Sequence, residues 1–237
     1  MKKNNNKIGG GVIAVIVLSC LFVTILLILL MISIFFPSTF RTVVDPYRDP
    51  YHYGPGEKKP IIYIYPEEDM NVSISVSNPE NFTTTYPKYE DGWEVKALTD
   101  GTLIDKFGKS YYALYWEGKQ KNISKVKEDG FVIKGEDTAE FLEEKLEILG
   151  LNYKEKNEFI MYWLPKMENN KYNYIRFETM EEINENMELF ITPKPESLIR
   201  VRMDYKPLDK KIKVKEQELT TPERTGYTVV EWGGIEI

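Results

Sequence analysis

Two glutamates stand beside tryptophan and glycine in runs that read as strand ends. Glu117 lies in Tyr115-Trp116-Glu117-Gly118 and Glu231 in Glu231-Trp232-Gly233-Gly234. Two carboxyl groups flanking a sugar, roughly 5 to 9.5 Å apart, are what glycoside hydrolysis requires: one protonates the leaving oxygen, the other acts as base or nucleophile. Trp116 and Trp232 would then stack on the sugar ring. The competing account makes both tryptophans core anchors and leaves the glutamates to solvent or to backbone amides at turns. Aromatic residues form 13% of the chain and recur in almost every strand-like run, so core packing is the first reading of both tryptophans.

Other chemistries lack their residues. His52 is the single histidine and Cys20 the single cysteine. This excludes the usual zinc sites, and excludes a Ser-His-Asp or Cys-His arrangement unless the region around His52 folds back. Asp91, Glu94, Asp100 and Asp105 bring oxygen ligands into one hairpin region, but without EF-hand spacing no metal is expected. The Gly130 to Gly135 spacing lacks the Lys-Ser/Thr of a phosphate loop. No cofactor is expected.

Any site must be positioned by the rest of the chain, which is organised by residues 12–36. These 25 residues carry no charge and are long enough, as a helix, to cross the roughly 30 Å apolar layer of a bilayer. Their polar members, Ser19, Cys20, Thr24 and Ser33, are small enough to bond back to helix carbonyls. A cleaved signal peptide would have a shorter apolar run and a better exit than Pro37-Ser38-Thr39-Phe40. The lipobox-like Val17-Leu18-Ser19-Cys20 would leave 16 further apolar residues after cleavage before Cys20. An uncleaved anchor is the reading that remains. Lys2, Lys3 and Lys7 before it, against Arg41 and Arg48 diluted by Asp45 and Asp49 after it, place residues 1–11 in the cytoplasm and the C-terminal part outside the plasma membrane.

Residues 37–58 hold four prolines and two glycines, which disfavour helix, and read as a linker. Residues 59–237 are sufficient for one domain with a proper core. A disulfide-free outer domain fits a bacterial envelope. Without Lys2, Lys3 and Lys7 the chain keeps 28 of its 31 basic residues against 37 acidic ones, a balance of −9 that argues against nucleic acid as a partner. The expected partners are the lipid bilayer, through residues 12–36, and envelope polymer or another membrane protein. Asn71, Asn81 and Asn122 match the glycosylation pattern, which is inert in a bacterium.

Within the domain, residues 61–65 read as a strand buried on both faces and 71–76 as a half-exposed one. Alternation at 92–98, the Asp100-Gly101 turn and the return at 102–105 read as a hairpin. Residues 111–116, 159–164, 172–177, 189–192, 198–205 and 227–232 read as further strands, with 212–214 a weaker one. One helix is expected from Asp137 as N-cap, with Glu140 completing a capping box, to Gly150; its face Phe141, Leu142, Leu146 and Leu149 would pack on a sheet. Residues 152–158 suggest a second, shorter helix. The expected class is α+β, mainly antiparallel sheet with one main helix, preceded by a single transmembrane helix. A strand, proline-and-acid turn, strand pattern at 62–76 recurs at 189–203 and raises a duplication.

KPIIYIYP at 59–66, YWEG at 115–118, GFVIKGEDT at 130–138, NEFIMYWLP at 157–165 and GYTVVEWGG at 226–234 resemble, in order, a family of uncharacterised microbial proteins. Its domain opens on a KPVIYLYP-like phrase and ends on a VEWGG-like one. The resemblance implies the domain boundaries and carries no activity, ligand or catalytic residue. The sequence thus supports a membrane-anchored extracytoplasmic binding or scaffolding module, with an envelope glycan hydrolase using Glu117 and Glu231 as the alternative.

Overall fold

The computed structural model describes residues 19, 21–28, 31, 56–120 and 125–237. The chain divides into two compact units, Met1–His52 and Tyr53–Ile237. In the first, residues 21–28 are helical, and the Thr24 hydroxyl donates to the Leu21 carbonyl at 2.9 Å. Leu21, Phe22, Leu27 and Ile28 each leave more than half of their surface exposed. Among the described residues no helix is long and apolar enough to cross a membrane. Most of the expected span 12–36 and nearly all of the linker 37–58 lie outside the described residues.

Among the described residues the second unit contains thirteen strands in two sheets, and three α-helices. The larger sheet has eight strands: β1 (Gly56–Tyr65), β3 (Phe82–Tyr86), β7 (Leu114–Lys119), β8 (Asp129–Lys134), β9 (Tyr172–Phe177), β11 (Ser197–Leu208), β12 (Lys215–Glu216) and β13 (Thr228–Glu236). Their spatial order is β12-β8-β9-β11-β13-β1-β7-β3. Pairing is antiparallel except for β11 with β13 and the two-residue contact of β12 with β8. The smaller sheet orders β10 (Leu189–Thr192), β2 (Met70–Val76), β4 (Trp93–Ala97), β5 (Leu103–Asp105) and β6 (Ser110–Tyr111), antiparallel throughout. The class is α+β with mostly antiparallel sheet.

Period-two alternation on β1 explains the layers. Ile61 and Tyr63 enter one core, with Leu142 and Leu146 of α1 (Thr138–Ile148) and Phe159, Trp163 and Met167 of α2 (Tyr153–Met167). Ile62 and Ile64 enter the other, with Val72, Ile74, Trp93 and Val95 of the small sheet. All four of these β1 residues are at most 4% exposed, the two-sided burial expected for this strand. The large sheet therefore separates a helical layer from a second sheet.

Several expectations change. Residues 159–164 are not a strand but the middle of α2. Asn152 caps α2 through the amides of Lys154 and Glu155, and Glu155 bonds back to the Asn152 amide. The helix ends shortly after Pro165, and a third helix, α3, follows at Met180–Asn186. Asp137 makes no side-chain capping bond, because a 3₁₀ turn at Gly135–Asp137 leads into α1 instead. The strand expected over 111–116 is two strands, one in each sheet. The duplication is not realised either: the first segment runs from the large sheet (β1) to the small (β2), whereas the second runs from the small (β10) to the large (β11).

Candidate functional site

The two glutamates do not form a pair. On β13, Val230 and Trp232 face the helical layer while Val229 faces the small sheet, so Glu231 projects to the small-sheet side. On β7, Leu114 and Trp116 face the small sheet, so Glu117 projects to the helical side. One carboxylate lies on each face of the sheet, and no single cleft reaches both. Glu231 is 4% exposed and fully engaged. Its Oε1 accepts from Trp116 Nε1 at 2.9 Å and its Oε2 from Arg200 Nε at 2.6 Å, while Arg200 Nη1 donates to Asn184 of α3 at 2.7 Å. Glu117 meets Lys58 Nζ at 3.4 Å. Trp116 and Trp232 are at most 1% exposed and serve as core anchors, not as platforms for a sugar.

The charge around Glu231 continues along the same face. Arg200, Arg202 and Asp204 alternate on β11 beside Arg176 on β9, all buried. Arg176 bonds Asp129 at 3.1 Å and Glu182 at 2.8 Å, and Lys127 also pairs with Glu182. Burial pushes the Glu182 carboxyl up, but the Arg176 and Lys127 bonds and the Thr179 amide outweigh it and hold the group at about 2. Buried charge of this kind is matched internally, as a structural network must be.

The oxygen-rich hairpin is also structural. Asp105 Oδ1 accepts from the amides of Phe107 and Lys109, and its Oδ2 from the Tyr111 hydroxyl. The Lys109 amide foremost, with Tyr111 and Phe107 adding to it, holds the Asp105 carboxyl below its usual range against a desolvation penalty. Asp100 accepts from the Thr102 amide at 2.8 Å in the expected Asp100-Gly101 turn, where Gly101 has φ +86°. Among the described residues no three His, Cys, Asp or Glu side chains converge on a metal position.

The open site lies where the chain changes sheets. It leaves the large sheet after Tyr86 at the end of β3 and enters the small sheet at Trp93, whose Nε1 pins the connection by donating to the Pro87 carbonyl at 2.9 Å. It returns between β6 and β7 through only Tyr112 and Ala113. So short a link cannot fold both flanking rings into a core: Tyr111 stays half-buried and Tyr112 is 66% exposed. A third irregularity, the bulge between Lys58 and Ile61 of β1, turns Lys59 out at φ +52°. Together these form a pocket of about 710 Å³ whose wall includes Tyr86, Tyr111, Tyr112, Tyr115, Lys59 and Ser110. That volume falls in the range of small-ligand sites.

Tyr86 and Tyr111 meet edge to face at 5.5 Å. The Lys109 ammonium stands 5.6 and 5.7 Å from their ring centres, and Lys59 stands 5.1 Å from that of Tyr162 on α2. Burial first, then the neighbouring carboxylates Asp105, Glu158 and Glu117, raises the phenols of Tyr111, Tyr112 and Tyr115 respectively. The rings therefore stay neutral across the physiological range. A second hollow of about 500 Å³ shares Tyr111 with the first, is lined by Lys109 and by the carboxylates Glu90, Asp91, Glu94 and Asp105, and is bordered by Phe107, 82% exposed at the tip of the β5–β6 turn. None of these pocket residues stood out in the sequence. The one available signal was the density of tyrosine in Tyr86-Pro87-Lys88-Tyr89 and Tyr111-Tyr112-Ala113-Leu114-Tyr115.

Fold and site together define a two-sheet α+β domain with an aromatic surface pocket. No known protein family and no solved structure matches the chain. A similar curated protein is an uncharacterised protein encoded in the bglA 3′ region of Butyrivibrio fibrisolvens, 36% identical over 63 residues, which are 25% of this chain. The chain spans 65% of that protein's length.

Proposed function

We propose that this protein is a membrane-anchored extracytoplasmic binding module of the cell envelope and that the tyrosine pocket at the sheet switch is where its ligand sits. The observation that carries the reading is the pocket itself: neutral, partly exposed rings and Lys59 around a cavity of ligand size, with neither Glu117 nor Glu231 in its wall. The anchor rests on the charge-free residues 12–36, the exposed apolar side chains of 21–28, and Lys2, Lys3 and Lys7 on the N-terminal side. The domain then faces outward on the linker 37–58, within reach of envelope polymer or the outer part of another membrane protein.

The test uses the full chain reconstituted in lipid vesicles and sedimented with insoluble bacterial cell-envelope polymer. The wild type is expected to sediment with the polymer and the Tyr86→Ala/Tyr112→Ala variant to remain in the supernatant. Equal sedimentation of the two assigns no binding role to the pocket. Externally added protease is expected to digest residues 59–237 on intact cells and to spare the N-terminal tail. Protection of the domain would reverse the orientation.

A further inference from the structure

Resting on the binding-module reading, we infer that the tyrosine pocket takes an uncharged glycan, a chain of pyranose units without carboxylate or phosphate groups. Three observations converge. First, the two most exposed rings of the wall are each braced by a second ring that is itself anchored. Tyr86 stands edge to face on Tyr111 at 5.5 Å, and the Tyr111 hydroxyl donates to Asp105 at 2.9 Å. Tyr112 leans on Tyr63 at 6.4 Å, and the Tyr63 hydroxyl donates to Glu158 at 2.8 Å while accepting from Trp232 Nε1 at 3.2 Å. Rings braced in this way present apolar faces to solvent and lose little side-chain freedom on binding. Two separate flat platforms in one cavity suit a ligand of repeated rings, and pyranoses offer apolar C–H faces to them. Second, the charges about the pocket cancel. Lys59 is the one charged residue of the wall among the described residues. Asp105, Glu117 and Glu158 neighbour Tyr111, Tyr115 and Tyr112 respectively. Lys58 pairs with Glu117, and the Lys109 charge acts on Asp105. Three lysines therefore match three carboxylates, which favours neither an anion nor a cation. Third, Thr102 and Ser110 add hydroxyls to a wall otherwise made of rings, Ile61, Ala113 and Lys59. Such hydroxyls both donate and accept, as sugar hydroxyls do, whereas a proline-rich peptide offers acceptors almost alone.

Affinity electrophoresis of the full chain in non-ionic detergent tests this with four polymers: galactomannan, hydroxyethylcellulose, polygalacturonate and polyproline. Retardation is expected by galactomannan or hydroxyethylcellulose, and by neither of the others. Tyr86→Ala and Tyr112→Ala are each expected to weaken it about tenfold or more, while Lys59→Gln stays within about twofold of wild type. Tyr112→Phe keeps the ring face and is expected to bind as wild type does. These side chains line the open pocket, and an unchanged tryptophan fluorescence melt verifies that each variant folds. Polygalacturonate retarding the protein more strongly than the neutral polymers overturns the uncharged ligand. Polyproline retarding it as strongly as they do overturns the glycan. Loss of binding in Tyr112→Phe equal to that in Tyr112→Ala overturns the stacking on which the class rests. No retardation by any polymer overturns the inference, and sedimentation with envelope polymer then tells the two claims apart: if it still depends on Tyr86 and Tyr112, the binding-module reading stands without this ligand class.

Discussion

Replacing Glu231 separates its two assigned roles more sharply than any other change. If it were a catalytic carboxylate in an open cleft, Glu231→Gln would abolish activity and spare the fold. The structure makes it instead the counter-charge of Arg200, whose side chain is 1% exposed against 5% for Glu231. Removing one partner of a buried ion pair costs about 3 to 5 kcal/mol, because the other charge is left uncompensated in a poor solvent. Asn184 still accepts one Arg200 bond, and a glutamine could still accept from Trp116, so the charge and not the hydrogen bonds dominates the loss. For a unit of this size about 1 kcal/mol lowers Tm by about 2 to 4 °C, so Glu231→Ala is expected to melt about 6 to 20 °C below wild type. All four tryptophans lie in the Tyr53–Ile237 unit, and Trp116 is itself a partner of Glu231, so intrinsic fluorescence of the full chain in detergent reads the transition directly. Removing both charges with Arg200→Met/Glu231→Leu is expected to recover most of the loss. Glu117→Gln, whose salt bridge with Lys58 is partly exposed, is expected to cost at most about 1 kcal/mol. A Glu231→Ala protein that melts within about 2 °C of wild type would refute the argument.

Other consequences follow from named contacts. The depressed Glu182 carboxyl stabilises the fold at pH above its unfolded value of 4.5, and this contribution is lost as pH falls toward 2. The ceiling is about 3 kcal/mol, reduced to about 1 to 2 by solvent around the partly exposed group. Melts between pH 6 and 2.5 should show this increment in wild type and not in Glu182→Gln; identical pH profiles would remove it. Arg224 clamps the fully buried Glu155 through two bonds of 2.9 Å, so Arg224→Met is expected to cost about 3 to 5 kcal/mol in denaturant titration, and Arg224→Lys not to restore it. A Cβ at Gly234 would lie 2.6 Å from the Met203 carbonyl oxygen and 2.9 Å from Trp163, so Gly234→Ala is expected to lower stability by about 1 to 3 kcal/mol. A Gly234→Ala protein that melts with wild type would contradict the packing.

These contacts also explain which parts of the chain were legible in advance. Strands β9 and β10 occupy the expected residues 172–177 and 189–192, β2 and β4 follow their alternation, and β1 shows the two-sided burial that its unbroken apolar run requires. Alternation reports burial, so it finds strands wherever burial alone decides. It failed at 159–164 because aromatic and β-branched side chains suit either element. The decisive signals lay elsewhere, in the Asn152-x-x-Glu155 cap and in the four-residue spacing of Glu155, Phe159, Trp163 and Met167, which puts all four on the buried face of α2. The candidate glutamates failed for a related reason: spacing along a strand fixes the face of each residue, but two strands can be compared only once their registers are known. Through β1, which pairs with both β13 and β7, the register places Glu231 opposite Ile62 and Tyr115 opposite Ile61, and Glu117 two residues past Tyr115 on the Ile61 face. The pocket was the least legible feature. Its tyrosines carry the same side chain as the buried Tyr63, Tyr174 and Tyr205, and only the two-residue link between β6 and β7 exposes Tyr112. A sheet switch is a property of which strands pair, fixed by contacts distant in sequence. A site built on one is therefore absent from local pattern even when every strand around it is correctly read.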